Sequence, residues 1–282
     1  MEKFREYIFK KKLDVIADYI DRHRDDQDFH VPYDFHMVKQ KGDDELFGII
    51  TNLFGFNKLP KVAKSEFDVS KFKVMYRGAP KKTYHANLLL DTEDRYYGTG
   101  DHGHGVYGTD DRAISKYYAR GKDGEGDELA FYLIGAQVGT EKFIRRVGDY
   151  LKGKTQDYRS VYDFTYNFEN GQKEPLDSQY TANRIKWLDE YIKQIQDPEL
   201  KQLFLNVICR DFGKMGILLG YDAFVVYDGS AGNVVVLNRN KITVTQSEYN
   251  RIYDAEEKAK RRAIKKVRLF KPEKQKPLEK GA

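Results

Sequence analysis

Phe4, Ile8, Leu13, Ile16, Tyr19 and Ile20 recur at near-helical spacing, which predicts an amphipathic helix over Glu2 to Asp21 that ends in the charged run DRHRDDQD. A second helix is expected over Asp43 to Phe56, with Leu46, Ile49, Ile50, Leu53 and Phe54 as its buried stripe. Alternation then replaces the helical period. Lys71 to Tyr76 reads as a strand that runs into Arg77-Gly78-Ala79-Pro80, and Glu128 to Val138 (ELAFYLIGAQV) as a well-buried strand. Helices are predicted over Glu141 to Leu151, Ser178 to Ile195 and Pro198 to Leu218, with Asp197 capping the last and Gly220 ending it. Tyr221 to Tyr227 and Asn233 to Asn238 form a hairpin about Asp228 to Gly232, Lys241 to Thr245 gives a final strand, and a charged helix follows from Glu248. Gly153 to Pro175 is polar with scattered aromatics and has no period, so it reads as an insertion or long loop.

One stretch stands apart, Gly98 to Ala119 (GTGDHGHGVYGTDDRAISKYYA). Its glycines allow close approach to another backbone or to a ligand, and Asp110 or Asp111 can cap a helix whose inward face would carry Ala113, Ile114, Tyr117 and Tyr118.

A chain of 282 residues with 40% apolar content can bury a real core. The single cysteine, Cys209, lies in an apolar helical stretch, so it reads as core, and neither an internal disulfide nor a cysteine metal cluster can form. The amino terminus is charged and no run approaches the ~20 apolar residues of a membrane span, which predicts a cytoplasmic protein with no membrane partner. The net charge of +5 is uneven, because Lys258 to Lys280 holds eleven Lys and Arg against Glu273 and Glu279 and leaves a mildly acidic body. Such a tail attracts RNA, DNA or an acidic protein, or is simply a solvated helix end.

Among candidate chemical groups, Arg77 leads. A guanidinium at a strand end before a Gly-Pro turn suits bidentate binding of a phosphate, although a surface ion pair is the ordinary alternative. His104 is a candidate pocket hydrogen bonder or general base, and His102 a loop-structuring residue. Two histidines at i and i+2 beside Asp101 make a weak metal signal, and no metal is expected.

Three short motifs occur in order: Tyr76-Arg77-Gly78; then Gly103-His104-Gly105-Val106-Tyr107-Gly108-Thr109 with Ala113 and Tyr117-Tyr118-Ala119; then Gly220-Tyr221-Asp222-Ala223 leading to Val234 to Arg239. Together they resemble the ADP-ribosyltransferase superfamily, in particular bacterial and phage mono-ADP-ribosyltransferases with an arginine, serine/threonine and glutamate triad, over roughly Lys71 to Thr245. The resemblance implies an α+β fold with a split β-sheet core, flanking helices and an N-terminal helical extension. The division expected is an extension over 1–70, a catalytic domain over 71–250 and a basic tail over 251–282.

The resemblance further implies NAD as co-substrate. Arg77 would orient its phosphates, Gly78 would let the dinucleotide approach, and Tyr107, Gly108 and Thr109 would line the nicotinamide pocket with Thr109 in the hydroxyl role. Tyr117 or Tyr118 would border the nicotinamide, with core packing as the alternative. At the position of the triad's glutamate this chain has Asn233, which can bond a ribose hydroxyl but supplies no negative charge. Either Asn233 suffices because the acceptor is already nucleophilic, or a carboxylate from elsewhere, such as Asp228 or Glu248, fills the role, or the enzyme is degenerate. The expected reaction is transfer of ADP-ribose from NAD to RNA, DNA or a protein. Such stand-alone transferases are often toxins held by an antitoxin or immunity protein. The rivals are an NAD glycohydrolase and a non-catalytic binding module that keeps the fold.

Overall fold

The computed structural model describes residues 1–30, 41–64, 68–90, 96–120, 126–159, 164–167, 172–175, 178–227 and 232–269. Asp228 lies outside them. In chain order the elements are α1 (Glu2–Arg22), a single turn α2 (Gln27–His30), α3 (Lys41–Leu53), β1 (Lys61–Val62), β2 (Val74–Ala79), α4 (Thr83–Leu90), β3 (Gly98–Gly100) and β4 (Gly103–Thr109). Then come α5 (Arg112–Tyr118), β5 (Asp127–Leu133), β6 (Val138–Thr140), α6 (Glu141–Leu151), β7 (Phe164–Asn167), β8 (Gln172–Pro175) and α7 (Ser178–Gln194). The chain continues through α8 (Pro198–Cys209), α9 (Phe212–Leu219), β9 (Ala223–Tyr227), β10 (Gly232–Val236), β11 (Ile242–Val244) and α10 (Gln246–Leu269). The fold is α+β, and no described helix is long and apolar enough to cross a membrane.

The main sheet runs β1-β11-β5-β2-β4-β10-β9-β6, with β3 paired to β4. Its centre is its weakest seam. β2 pairs with β5 from Val74 to Ala79 and β4 pairs with β10 from Val106 to Thr109, but β2 and β4 meet at one register pair, Tyr76 with Thr109. Beyond that pair Arg77 and Gly78 of β2 form no register pair with Tyr107 and Gly108 of β4, so the sheet divides there into two leaves.

Two apolar layers cover the faces. Met75, Leu129, Phe131, Val106, Val234 and Val236 pack with Leu88 and Leu89 of α4 and Ile252 of α10 on one face. On the other, Val235 and Phe224 join α6 to α9 and also Phe9, Leu13, Ile16 and Ile20 of α1 with Leu46, Phe47 and Ile50 of α3. The N-terminal helices therefore share the core of the sheet rather than standing off as an extension. The parallel pairing of β1 with β11 ties the same region to the far edge.

Several predicted elements are redrawn. The helix expected from Pro198 to Leu218 breaks at Arg210, because Asp211 turns its carboxylate onto the N–H groups of Gly213 and Lys214 and caps a new helix. ELAFYLIGAQV divides into β5 and β6 around Gly135, which has φ 58°. Within the stretch read as a loop, β7 and β8 form an antiparallel hairpin. Cys209 is half-buried against the core, and burial raises its thiol to about 12, which makes it inert.

Candidate active site at the parted strands

Strand order alone brings the three motifs side by side, with β2, β4 and β10 adjacent. Thr109 is the register partner of both Tyr76 and Asn233, so Thr109 and Asn233 share a face. Arg77 does not share it. Its side chain shares the face of Met75 and Ala79 and enters the layer under α4, opposite to Thr109. The strand continues through Arg77, so this residue lies inside β2 rather than at its end.

Arg77 is 9% exposed. Its guanidinium reaches the carbonyl oxygens of Tyr84 and Tyr96 only at 3.5 and 3.4 Å, and no carboxylate among the described residues pairs with it. Burial, and then the nearby Arg239, lower it to about 10. Arg239 is itself buried over the ring of Tyr96, with Nε donating to the Leu88 carbonyl at 2.6 Å. His85 lies beside them. It is fully buried, donates from Nε2 to the Asp127 carbonyl at 3.1 Å, and has no hydrogen bond at Nδ1 among the described residues; burial and Arg77 push it down to about 4. The two guanidinium groups in one buried layer create a positive field suited to an anion, beside a His85 ring kept neutral.

On the opposite face Thr109 is buried, and its hydroxyl accepts from the Asp111 N–H at 3.1 Å. The side chain of Asn233 makes no hydrogen bond among the described residues and stays half-exposed. Asp110 links the two strands beside them. It donates its N–H to the Gly232 carbonyl at 3.2 Å, accepts from the Gly232 N–H at 3.0 Å and pairs with Lys73. This carboxylate was passed over in the sequence because it reads as a helix cap, a task that Asp111 performs by accepting from Ala113. Glu248 is held elsewhere, by Arg251, which also grips Asp127 and the Glu128 carbonyl at the end of β5.

The glycine-rich stretch is filled by protein. A Cβ on Gly78 would stand 1.9 Å from the Ser115 carbonyl oxygen, so the backbone of α5 occupies the approach expected for a ligand. Gly108 is pressed in the same way onto the ring of Phe131. Tyr107 braces the loop, its hydroxyl donating to the Gly103 carbonyl at 2.6 Å and accepting from the His102 N–H at 3.3 Å; burial raises its phenol further above the ordinary range. His102 bonds Glu141 at 3.0 Å and so ties the loop to α6.

His104 is corrected most sharply. It is fully buried, stacks on Phe47 with ring centroids 4.8 Å apart, and faces a carboxylate at each nitrogen, Asp211 at Nδ1 and Asp44 at 2.8 Å from Nε2. Burial opposes the charged ring, but Asp211 and Asp44 outweigh it and raise its pKa. An imidazolium locked on both sides cannot act as base for an acceptor. Asp43, His104 and Asp211 do lie close enough to ligate one ion, within 4.8 Å of one another. The ammonium of Lys214 already bridges Asp43 and Asp211, and Arg210 reaches Asp43 at 3.0 Å, so cationic side chains neutralise that cluster.

The inward face predicted for α5 is also wrong. Because its backbone seats on Gly78, Ser115 is the buried side chain, and its Oγ has no hydrogen-bond partner among the described residues. Tyr117 and Tyr118 are turned into solvent. Compared with protein-family models, curated proteins and solved structures, the chain matches none.

Proposed function

We propose that the protein is a mono-ADP-ribosyltransferase that cleaves NAD at the parted strands and passes ADP-ribose to a macromolecular nucleophile. The observation that carries this reading is the seam between β2 and β4. A single register pair, Tyr76 with Thr109, joins the two leaves, with the basic group of Arg77 on one face and Thr109 with Asn233 on the other. A dinucleotide has two ends of different chemistry. Its pyrophosphate suits Arg77, which is buried with no counter-charge among the described residues, and its nicotinamide ribose suits the hydroxyl and amide side.

Departure of nicotinamide leaves a cationic sugar, which needs negative charge nearby and protection from water. Asn233 provides only a hydrogen bond. Asp110, fixed by the Gly232 N–H next to Asn233, supplies the charge in this reading. The missing glutamate favours one alternative, a binding module that keeps the fold without turnover. Chromatographic assay of nicotinamide released from NAD separates the two. The transferase reading predicts release by the unaltered protein and losses of about 100-fold or more in Asp110→Asn, the scale for removing one electrostatic stabiliser of a transition state. No release at high protein concentration would leave the binding module.

A further inference from the structure

We infer that the surface around the Gly78–Ala79 end of β2 binds a single-stranded nucleic acid; its role as the ADP-ribose acceptor rests on the transferase reading, whereas the binding does not. The surface follows from how α5 is seated. Contact through the helix backbone at Gly78 and Ser115 leaves no inward place for the two tyrosines, so Tyr117 and Tyr118 are 66% and 64% exposed, set edge to face with centroids 5.6 Å apart. Lys116 and Arg120 flank them and are exposed as well. The other side of the same strand end is built alike. β2 ends at Ala79, and the chain then exposes Lys81, Lys82 and Tyr84, the tyrosine at 43%, while the Tyr84 carbonyl faces Arg77.

None of Lys81, Lys82, Lys116 and Arg120 makes an ion pair among the described residues, whereas Lys10 of α1 and Arg24 just beyond it are paired with Glu6 and Asp21. Uncompensated cations interleaved with exposed aromatic rings match a strand whose bases stack and whose phosphates need neutralising. A duplex hides its base faces. An acidic protein segment would use the cations and leave the tyrosines without a task.

Fluorescence anisotropy of labelled 12-nucleotide RNA and DNA with the full chain, without NAD, tests the assignment. Single strands are expected to bind more tightly than the duplex. Tyr117→Ala/Tyr118→Ala is expected to weaken them by about 10- to 100-fold, the scale for losing base–aromatic stacking, at an unchanged melting temperature since both side chains are exposed. Lys116→Ala/Arg120→Ala is expected to lower the slope of log affinity against log salt by about 1.4, at about 0.7 per phosphate contact. An affinity indifferent to the tyrosines would overturn the proposal and assign binding to the basic carboxy-terminal segment. Displacement of the strand by polyglutamate at equal charge concentration would overturn it in favour of an acidic protein. Tyrosine-dependent binding with no ADP-ribose transferred once NAD is added would keep this surface and remove the transferase reading. Transfer onto protein with no strand bound would do the reverse.

Discussion

Asp211 serves three groups with one carboxylate: it caps α9, accepts from the His104 N–H at 3.2 Å and pairs with the imidazolium. Asp211→Ala is predicted to cost about 3–5 kcal/mol in urea unfolding, because it strands buried positive charge on His104 and Lys214. The same site sets a pH dependence. The His104 pKa is raised above its ordinary 6.5, so its contribution is fully present below that value and is lost as pH rises through the folded one. Asp211 is depressed below its ordinary 3.8, so its contribution is present above that value and is lost as pH falls through the folded one. Unfolding curves should therefore lose stability on the alkaline side in the unaltered protein, and His104→Gln should flatten that limb. Parallel curves would remove His104 from it. None of this was legible in the sequence. A histidine among glycines reads as a pocket hydrogen bonder or general base, and its partners are 60 and 107 positions away.

Element by element, legibility followed the apolar period. α1, α3, α6, β9 and β10 were readable because each buries a stripe or an alternating face against a large core. α5 was readable as a capped helix but not by its buried face, since a seven-residue helix that touches β2 through its backbone leaves no pattern in its side chains. Arg77 and Thr109 both stand out in the sequence, yet their opposite faces depend on the register of β2 with β4, which periodicity within one strand does not contain. Gly78→Ala tests the seating. A methyl group there meets the Ser115 carbonyl, so α5 must shift, at a predicted cost of about 1–3 kcal/mol in stability. A neutral Gly78→Ala would show that α5 does not rest on β2.

At the scale of the molecule, the division at residue 70 dissolves, because α1 and α3 complete the layer that α6 to α9 begin. Deleting residues 1–56 is predicted to abolish cooperative unfolding and expose apolar surface to a hydrophobic dye; a sharp unfolding transition in the truncated chain would contradict the shared core. The same layer buries the ion cluster of Asp43, His104, Asp211 and Lys214, so the helices also hold the glycine loop beside the parted strands. The central claim is the use of NAD across that seam. Its most direct test is incubation of the protein with NAD labelled in the adenylate phosphate, together with total RNA or cell lysate, and recovery of labelled macromolecule. The account predicts stable label with the unaltered protein and none with Arg77→Ala. Label undiminished in Arg77→Ala, or no label with either protein, would contradict it.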